Sequence, residues 1–352
     1  MKLAFGLFLF LLAWCFAHES KAQSIDRIIY YDIDEYAAAT PDSHRKSIIS
    51  LTNYLVKPYA SDHEKARSIY AWIVKNLSYD HALAKRKNIP SPSIKHILRT
   101  RKAICSGYSA LFKAMCDIAG LECEIVIGYS REYNEKVKRR KSFTWSDHGW
   151  NAVKIDSVWY PLDATWERKE KRQKGTTIGY NYFLTDPKEF ILDHLPAVPY
   201  WQLLSCPISL KEFKKPEEEI KVLLKKDTFC QSFNDSISAD SKLSDAHRNY
   251  KMATDAFRFN DRNHLAMGLG YLNHGTYFLN LSNSYTFIEA KLSGTVLAHS
   301  YYASSLSHLR KSKKKKHLAK SKKYIASTKA RIKKLEALQK KSNQKSNLAV
   351  TK

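Results

Sequence analysis

The stretch Ala103-Ile104-Cys105-Ser106-Gly107-Tyr108-Ser109-Ala110-Leu111-Phe112 sets a cysteine at the head of an apolar, periodic run. Tyr108, Leu111, Phe112, Met115, Cys116 and Ala119 recur at helical spacing, and Gly120 stands where a C-cap glycine belongs. The spacing therefore predicts a buried helix that Cys105 opens. A thiol in that position meets unpaired backbone N–H groups and the positive end of the helix dipole, both of which favour thiolate. Ser106-Gly107 offers a small surface along which a substrate carbonyl approaches the backbone, and the Cys105 N–H is a candidate oxyanion donor. Taken alone, such a cysteine also reads as a small buried residue at a helix entrance.

Downstream, Cys123 to Tyr129 reads as a buried strand, and Arg131 to Lys141 as an exposed basic loop. His148 to Ile155 and Val158 to Thr165 are two runs of strand character joined by Asp156-Ser157. A two-residue turn puts an even-numbered and an odd-numbered residue of opposite strands on one face, so His148 and Asp163 share a face at a diagonal. A carboxylate there holds one imidazole nitrogen while the other faces a thiol. Upstream, Ser61 with Glu64 forms a capping box, and Ala66, Ile69, Tyr70, Ile73, Val74 and Leu77 fall on one face of the helix that follows. Pro90-Ser91-Pro92 breaks the chain before a short segment around Ile94, Ile97 and Leu98.

A cysteine at a helix start, followed by histidine and aspartate on a hairpin, resembles the transglutaminase-like superfamily. The pieces that carry the resemblance are Ala66-Arg67-Ser68-Ile69-Tyr70-Ala71-Trp72-Ile73 with Leu77-Ser78-Tyr79-Asp80, then 103–112, then His148-Gly149-Trp150-Asn151-Ala152-Val153, then Trp159 to Trp166. Tyr182 to Pro187 and Trp201 to Leu204 look like the kyphoscoliosis-peptidase-like subgroup. The resemblance implies an α+β papain-like core, with Cys105 as nucleophile, His148 as general base and acid, and Asp163 as orienter of the imidazole. The family's oxyanion donor varies, and Tyr79 is a candidate for it. It also implies acyl transfer through a cysteine thioester, with hydrolysis of a peptide or amide bond ahead of protein cross-linking. An exported scaffold that uses the same groove without turnover is the rival reading.

The ends of the chain bound the setting. Met1-Lys2, the apolar run Leu3 to Phe16, and Ser20-Lys21-Ala22 have the pattern of a cleaved signal peptide, with an uncleaved anchor as the alternative. The organisation expected is a signal peptide at 1–22, an N-terminal segment at 23–60, a catalytic domain at 61–210, a mostly helical region at 211–309 and a basic helical or disordered tail at 310–352. Without Cys15 the cysteines are Cys105, Cys116, Cys123, Cys206 and Cys230, an odd number that leaves at least one thiol unpaired within the chain. Of the formal net charge of +25, about +16 lies in Arg310 to Lys352, with 17 Lys or Arg against Glu336. Such a tail attracts a polyanion, and export turns the expectation toward an anionic envelope polymer or membrane surface and away from nucleic acid. Ile325, Thr328, Ile332 and Leu335 within it are spaced as one helix face that could equally dock on the preceding helices. No phosphate loop, metal pattern or cofactor fingerprint is visible, and no cofactor is expected.

Overall fold

The structure is a computed structural model and describes residues 30–86, 89–131, 143–167, 178, 181–226, 230 and 232–350. The signal-peptide reading and nearly all of the basic loop fall outside the described residues. The described chain is a mixed assembly of helices and sheet with a helical C-terminal region, as the sequence leads one to expect.

Two compact units divide the chain: one takes the described residues of Met1–Val126 with Gly149–Asp186, the other those of Ile127–His148 with Pro187–Lys352. In the first, a helical segment at 30–38 precedes α1 (Ile48–Val56), α2 (Asp62–Asn76), β1 (Ser78–Tyr79), α3 (Ile94–Thr100), β2 (Lys102–Ala103) and α4 (Cys105–Ala119). The capping box forms at α2: Ser61 Oγ accepts from the Glu64 N–H at 3.2 Å, and the Ser61 N–H donates back to Glu64 Oε2 at 3.3 Å. Gly120 ends α4 at φ 75°, in the left-handed region glycine favours.

The α2 helix is buried on every side from Ala66 to Val74, not along one stripe. Arg67 can lie there because Asp34 meets its guanidinium with two hydrogen bonds, of 2.8 and 2.7 Å, and Tyr30 packs its ring 4.4 Å from the charge. Burial outweighs that pairing at Asp34 and pushes its carboxyl up. Leu51 and Leu55 of α1, Ile69 and Ile73 of α2 and Leu111 and Phe112 of α4 fill one core together.

The main sheet runs through β3 (Cys123–Ser130), β4 (His148–Ile155), β5 (Val158–Leu162) and β6 (His194–Pro196), in the order β5-β4-β3-β6. β3 and β4 each continue across the division between the units. β4 pairs antiparallel with β5 from Asn151↔Leu162 to Ile155↔Val158, which makes Asp156 and Ser157 the turn. Both turn residues have positive φ, 48° and 71°, as a two-residue hairpin of this twist requires.

In the second unit α5 (Asp245–Phe259), α6 (His264–Ser284), α7 (Ile288–Ser312) and α8 (Lys315–Val350) follow one another. Leu272, Ala298 and Tyr302 centre a small core against which Tyr324 and Ile325 of α8 pack. Asn260 ties this region to β3 by donating to Tyr129 Oη at 2.7 Å. Cys206 and Cys230 form a disulfide, while Cys105, Cys116 and Cys123 are free.

Candidate functional site

Cys105 is the first residue of α4 and is partly exposed, whereas Cys116 and Cys123 are buried. Its N-cap, Ile104, contributes no side-chain cap. The Gly107 and Tyr108 N–H groups both turn back on the Ile104 carbonyl, at 2.8 and 3.1 Å. The helix supplies no acceptor for the N–H of Cys105 or Ser106, and among the described residues neither has a backbone partner, which leaves both as donors at its positive end.

Gly107 has a reason to be glycine that differs from the one the sequence suggests. A Cβ there would meet Ala103 Cβ at 2.7 Å and Ile97 Cδ1 at 3.1 Å. The bare backbone lets α4 pack on β2 and α3, so this glycine sets where the cysteine stands.

Tyr79 reaches the same place by strand pairing. β1 and β2 run parallel with Tyr79 opposite Ala103, and the Asp80 N–H donates to the Ala103 carbonyl at 2.8 Å. The phenol is half-buried, and burial, then the negative charges of Cys105 and Asp163, push its pKa up. Tyr79 therefore keeps its proton beside Cys105, the condition for donating to an oxyanion.

Asp163 lies at the end of β5, almost wholly buried. Its N–H donates to the Tyr182 carbonyl at 2.8 Å, its Oδ1 accepts from the Thr165 N–H at 2.8 Å, and its carbonyl accepts from Tyr70 Oη at 3.4 Å. Glu167, fully buried one turn on, accepts from the Tyr182 N–H at 3.1 Å and from Tyr70 Oη at 3.3 Å. This brace was not legible from the sequence, because Tyr70 and Glu167 lie 97 residues apart. Asn151 too has a role that its sequence neighbours do not reveal. Its buried amide donates to the Ser109 carbonyl at 3.1 Å and so ties β4 to α4.

Cys105, Asp163 and Tyr79 thus belong to one unit, and Tyr79 lies within electrostatic reach of the other two. His148 is the last residue of the segment Ile127–His148 in the other unit, and its peptide bond to Gly149 continues β4. It is buried, and its ring centre lies 5.3 Å from that of His194. His194 is itself fully buried on β6, stacked on Phe190 at 4.2 Å and in close contact with the Asp193 carboxylate through Nδ1. His194 carried no signal in the sequence that set it apart from a core histidine.

Residues 49–164 match the family model described as the transglutaminase-like superfamily. Over 198 residues the chain is 35% identical to kyphoscoliosis peptidase of Homo sapiens, covering 55% of this chain and 30% of that protein. Over 206 residues it is 34% identical to hillarin of Drosophila melanogaster, covering 54% and 25%. Over 204 residues it is 30% identical to Lim and transglutaminase domain protein ltd-1 of Caenorhabditis elegans, covering 53% and 27%. The matched region spans less than a third of the length of each of these relatives.

Proposed function

We propose that this chain, whose residues 49–164 match the transglutaminase-like superfamily and which is similar to kyphoscoliosis peptidase over 198 residues, is a cysteine enzyme acting through Cys105, His148 and Asp163. The observation that carries this reading is Cys105 at the open N-terminus of α4, with a protonated Tyr79 and a braced Asp163 around it. The hairpin register adds support. The observed pairs, Asn151↔Leu162 to Ile155↔Val158, are those a two-residue turn at Asp156-Ser157 requires, which is the premise on which His148 and Asp163 are expected to share a face.

In the proposed reaction the Cys105 thiolate attacks a carboxamide or peptide carbonyl carbon. The Cys105 N–H and Tyr79 hydroxyl receive the developing oxyanion. The C–N bond then breaks, and His148 gives its proton to the departing amine, leaving a thioester. Water, deprotonated by His148, adds to the thioester and releases an acid and the thiolate. A lysine amine in place of water would give a cross-link. We favour hydrolysis because a relative at 35% identity is called a peptidase.

The experiment is stoichiometric alkylation by iodoacetamide, followed at neutral pH by mass spectrometry. Cys105 is expected to react well ahead of the buried Cys116 and Cys123, and His148→Ala to slow it by at least about tenfold by removing the imidazolium partner of the thiolate. Cys105→Ala should abolish acyl transfer with the fold intact. Asp163→Asn should leave a residual activity. Alkylation of Cys105 at the rate of a free thiol, unchanged in His148→Ala, would favour the non-catalytic scaffold.

We also propose that the chain is exported with a cleaved leader. The Cys206–Cys230 bridge is a kind of bond that persists in oxidising compartments. Intact-mass measurement on protein from its native host should give a chain starting near Gln23; one retaining Met1 in the cytoplasm would refute export.

A further inference from the structure

Tyr324 and Ile325 of α8 pack against the core around Leu272, Ala298 and Tyr302, while Leu338 alone of its large apolar residues between 315 and 344 is exposed. Ser321, Thr328 and Leu335, seven residues apart, are buried, and Ser321 Oγ donates to the Tyr302 carbonyl at 3.0 Å. His299 Nδ1 lies 2.8 Å from Thr328 Oγ1, and Arg331 Nε donates to Thr295 Oγ1 at 3.1 Å. The face turned to solvent is therefore the one left over, and its composition is regular. Lys315, Lys322, Lys329, Lys333 and Lys340 form one exposed row, and Lys316, Lys323, Lys334 and Lys341 a second. At 100° per residue the rows stand roughly a third of a turn apart, and Ala319, Ala326, Ala330 and Ala337, all exposed, lie between them. Among the described residues none of these nine lysines is in an ion pair with a carboxylate.

We propose that this face is a docking track for a single extended strand of a linear phosphate-bearing polymer, lying along the alanine floor between two lysine rails. A bilayer surface suits it less. A helix that lies in a membrane interface keeps an apolar face free to enter it, and here that face is occupied by α7. A folded acidic protein presents charge in patches, whereas the rails are linear. Nine lysines between residues 315 and 341 cover about 39 Å of helix axis, one per roughly 4 Å. That density approaches the roughly 3.4 Å between phosphates along one strand of a nucleic acid duplex, so a phosphate on every short repeat can be neutralised along the whole track. Lysine suits the task, since its ammonium is a point charge that does not demand the bidentate geometry arginine imposes.

The test uses the full chain and long-chain inorganic polyphosphate, with binding measured by isothermal titration between low and physiological salt. Log affinity should fall linearly with log salt, and replacing Lys322, Lys329, Lys333 and Lys340 together by Gln should reduce that slope by roughly 0.7 for each lysine removed. Affinity at low salt should drop at least about tenfold. The same charge removed elsewhere, as Lys211→Gln, Lys214→Gln, Lys225→Gln and Lys242→Gln, should leave most of the affinity in place. Equal losses in the two variants would overturn the track, because net charge alone would then account for binding. Phosphatidylglycerol vesicles, or polyglutamate, binding as tightly as polyphosphate at matched charge would overturn the choice of occupant. Far-ultraviolet circular dichroism of both variants should match the parent, since Gln is about as good a helix former as Lys.

Discussion

Gly107 sets where Cys105 stands, since its bare backbone is what lets α4 pack on Ala103 and Ile97. Ser61, Glu64 and Gly120 were legible because their chemistry is local: each satisfies backbone groups within four residues of itself. Arg67 was not, because a charge on a helix reads as solvent-facing until its partner is known, and Asp34 lies 33 residues upstream. Gly107 was legible as important, and the packing on Ala103 and Ile97 is a reason that the sequence does not show. Its Ala substitution would gain up to about 1 kcal/mol of helix propensity and lose about 1–3 kcal/mol to the clash with Ala103 and Ile97. The clash wins, because Ala103 Cβ at 2.7 Å belongs to a paired strand that cannot step aside. Gly107→Ala should therefore lower the melting temperature and also slow alkylation of Cys105, by moving the start of α4. Thermal denaturation and the alkylation rate, read on the same sample, check both halves.

At the level of elements the hairpin was the most legible feature, since a period of two and a two-residue turn leave only one register. Its turn is nevertheless imperfect chemistry. Asp156 and Ser157 both occupy the left-handed region, which costs a residue with a Cβ about 1–2 kcal/mol relative to glycine. Ser157→Gly should raise stability by up to about 1 kcal/mol, less what glycine's freedom in the unfolded chain takes back. Ser157→Val should lower it, a β-branched side chain being the worst choice at positive φ. Urea midpoints of the two variants, on either side of the parent, would bear this out. The pairing of β1 with β2 lay beyond sequence reasoning, because two residues of strand carry no periodicity. Yet that pairing is what brings Tyr79 up to Cys105.

For the molecule as a whole, the composition shift near Lys211 points to successive regions, while the compact units are interleaved: the chain passes from one to the other within β3, within β4 and at Asp186. Interleaving is invisible to composition because it depends on which strands pair. The second unit is also expected to lose stability toward acid pH. Burial pushes the imidazoles of His264, His274, His308 and His317 down, and neighbouring cations add to it, Lys311 at His264 and His308 and Lys316 at His317. These groups are neutral in the folded chain at pH values where the unfolded chain, with imidazoles near 6.5, already binds protons. Stability contributed by neutrality is thus complete above about pH 6.5 and is lost as pH falls below it. Melting temperature should decline between about pH 7 and pH 5, and replacing His264 and His308 by Gln should flatten that decline. The Cys206–Cys230 bridge makes a covalent ring that contains the exposed Lys225 and Lys226. Trypsin cutting after either lysine would leave a nicked chain that still migrates as one species on a gel, and that parts into two pieces only when a reducing agent is added.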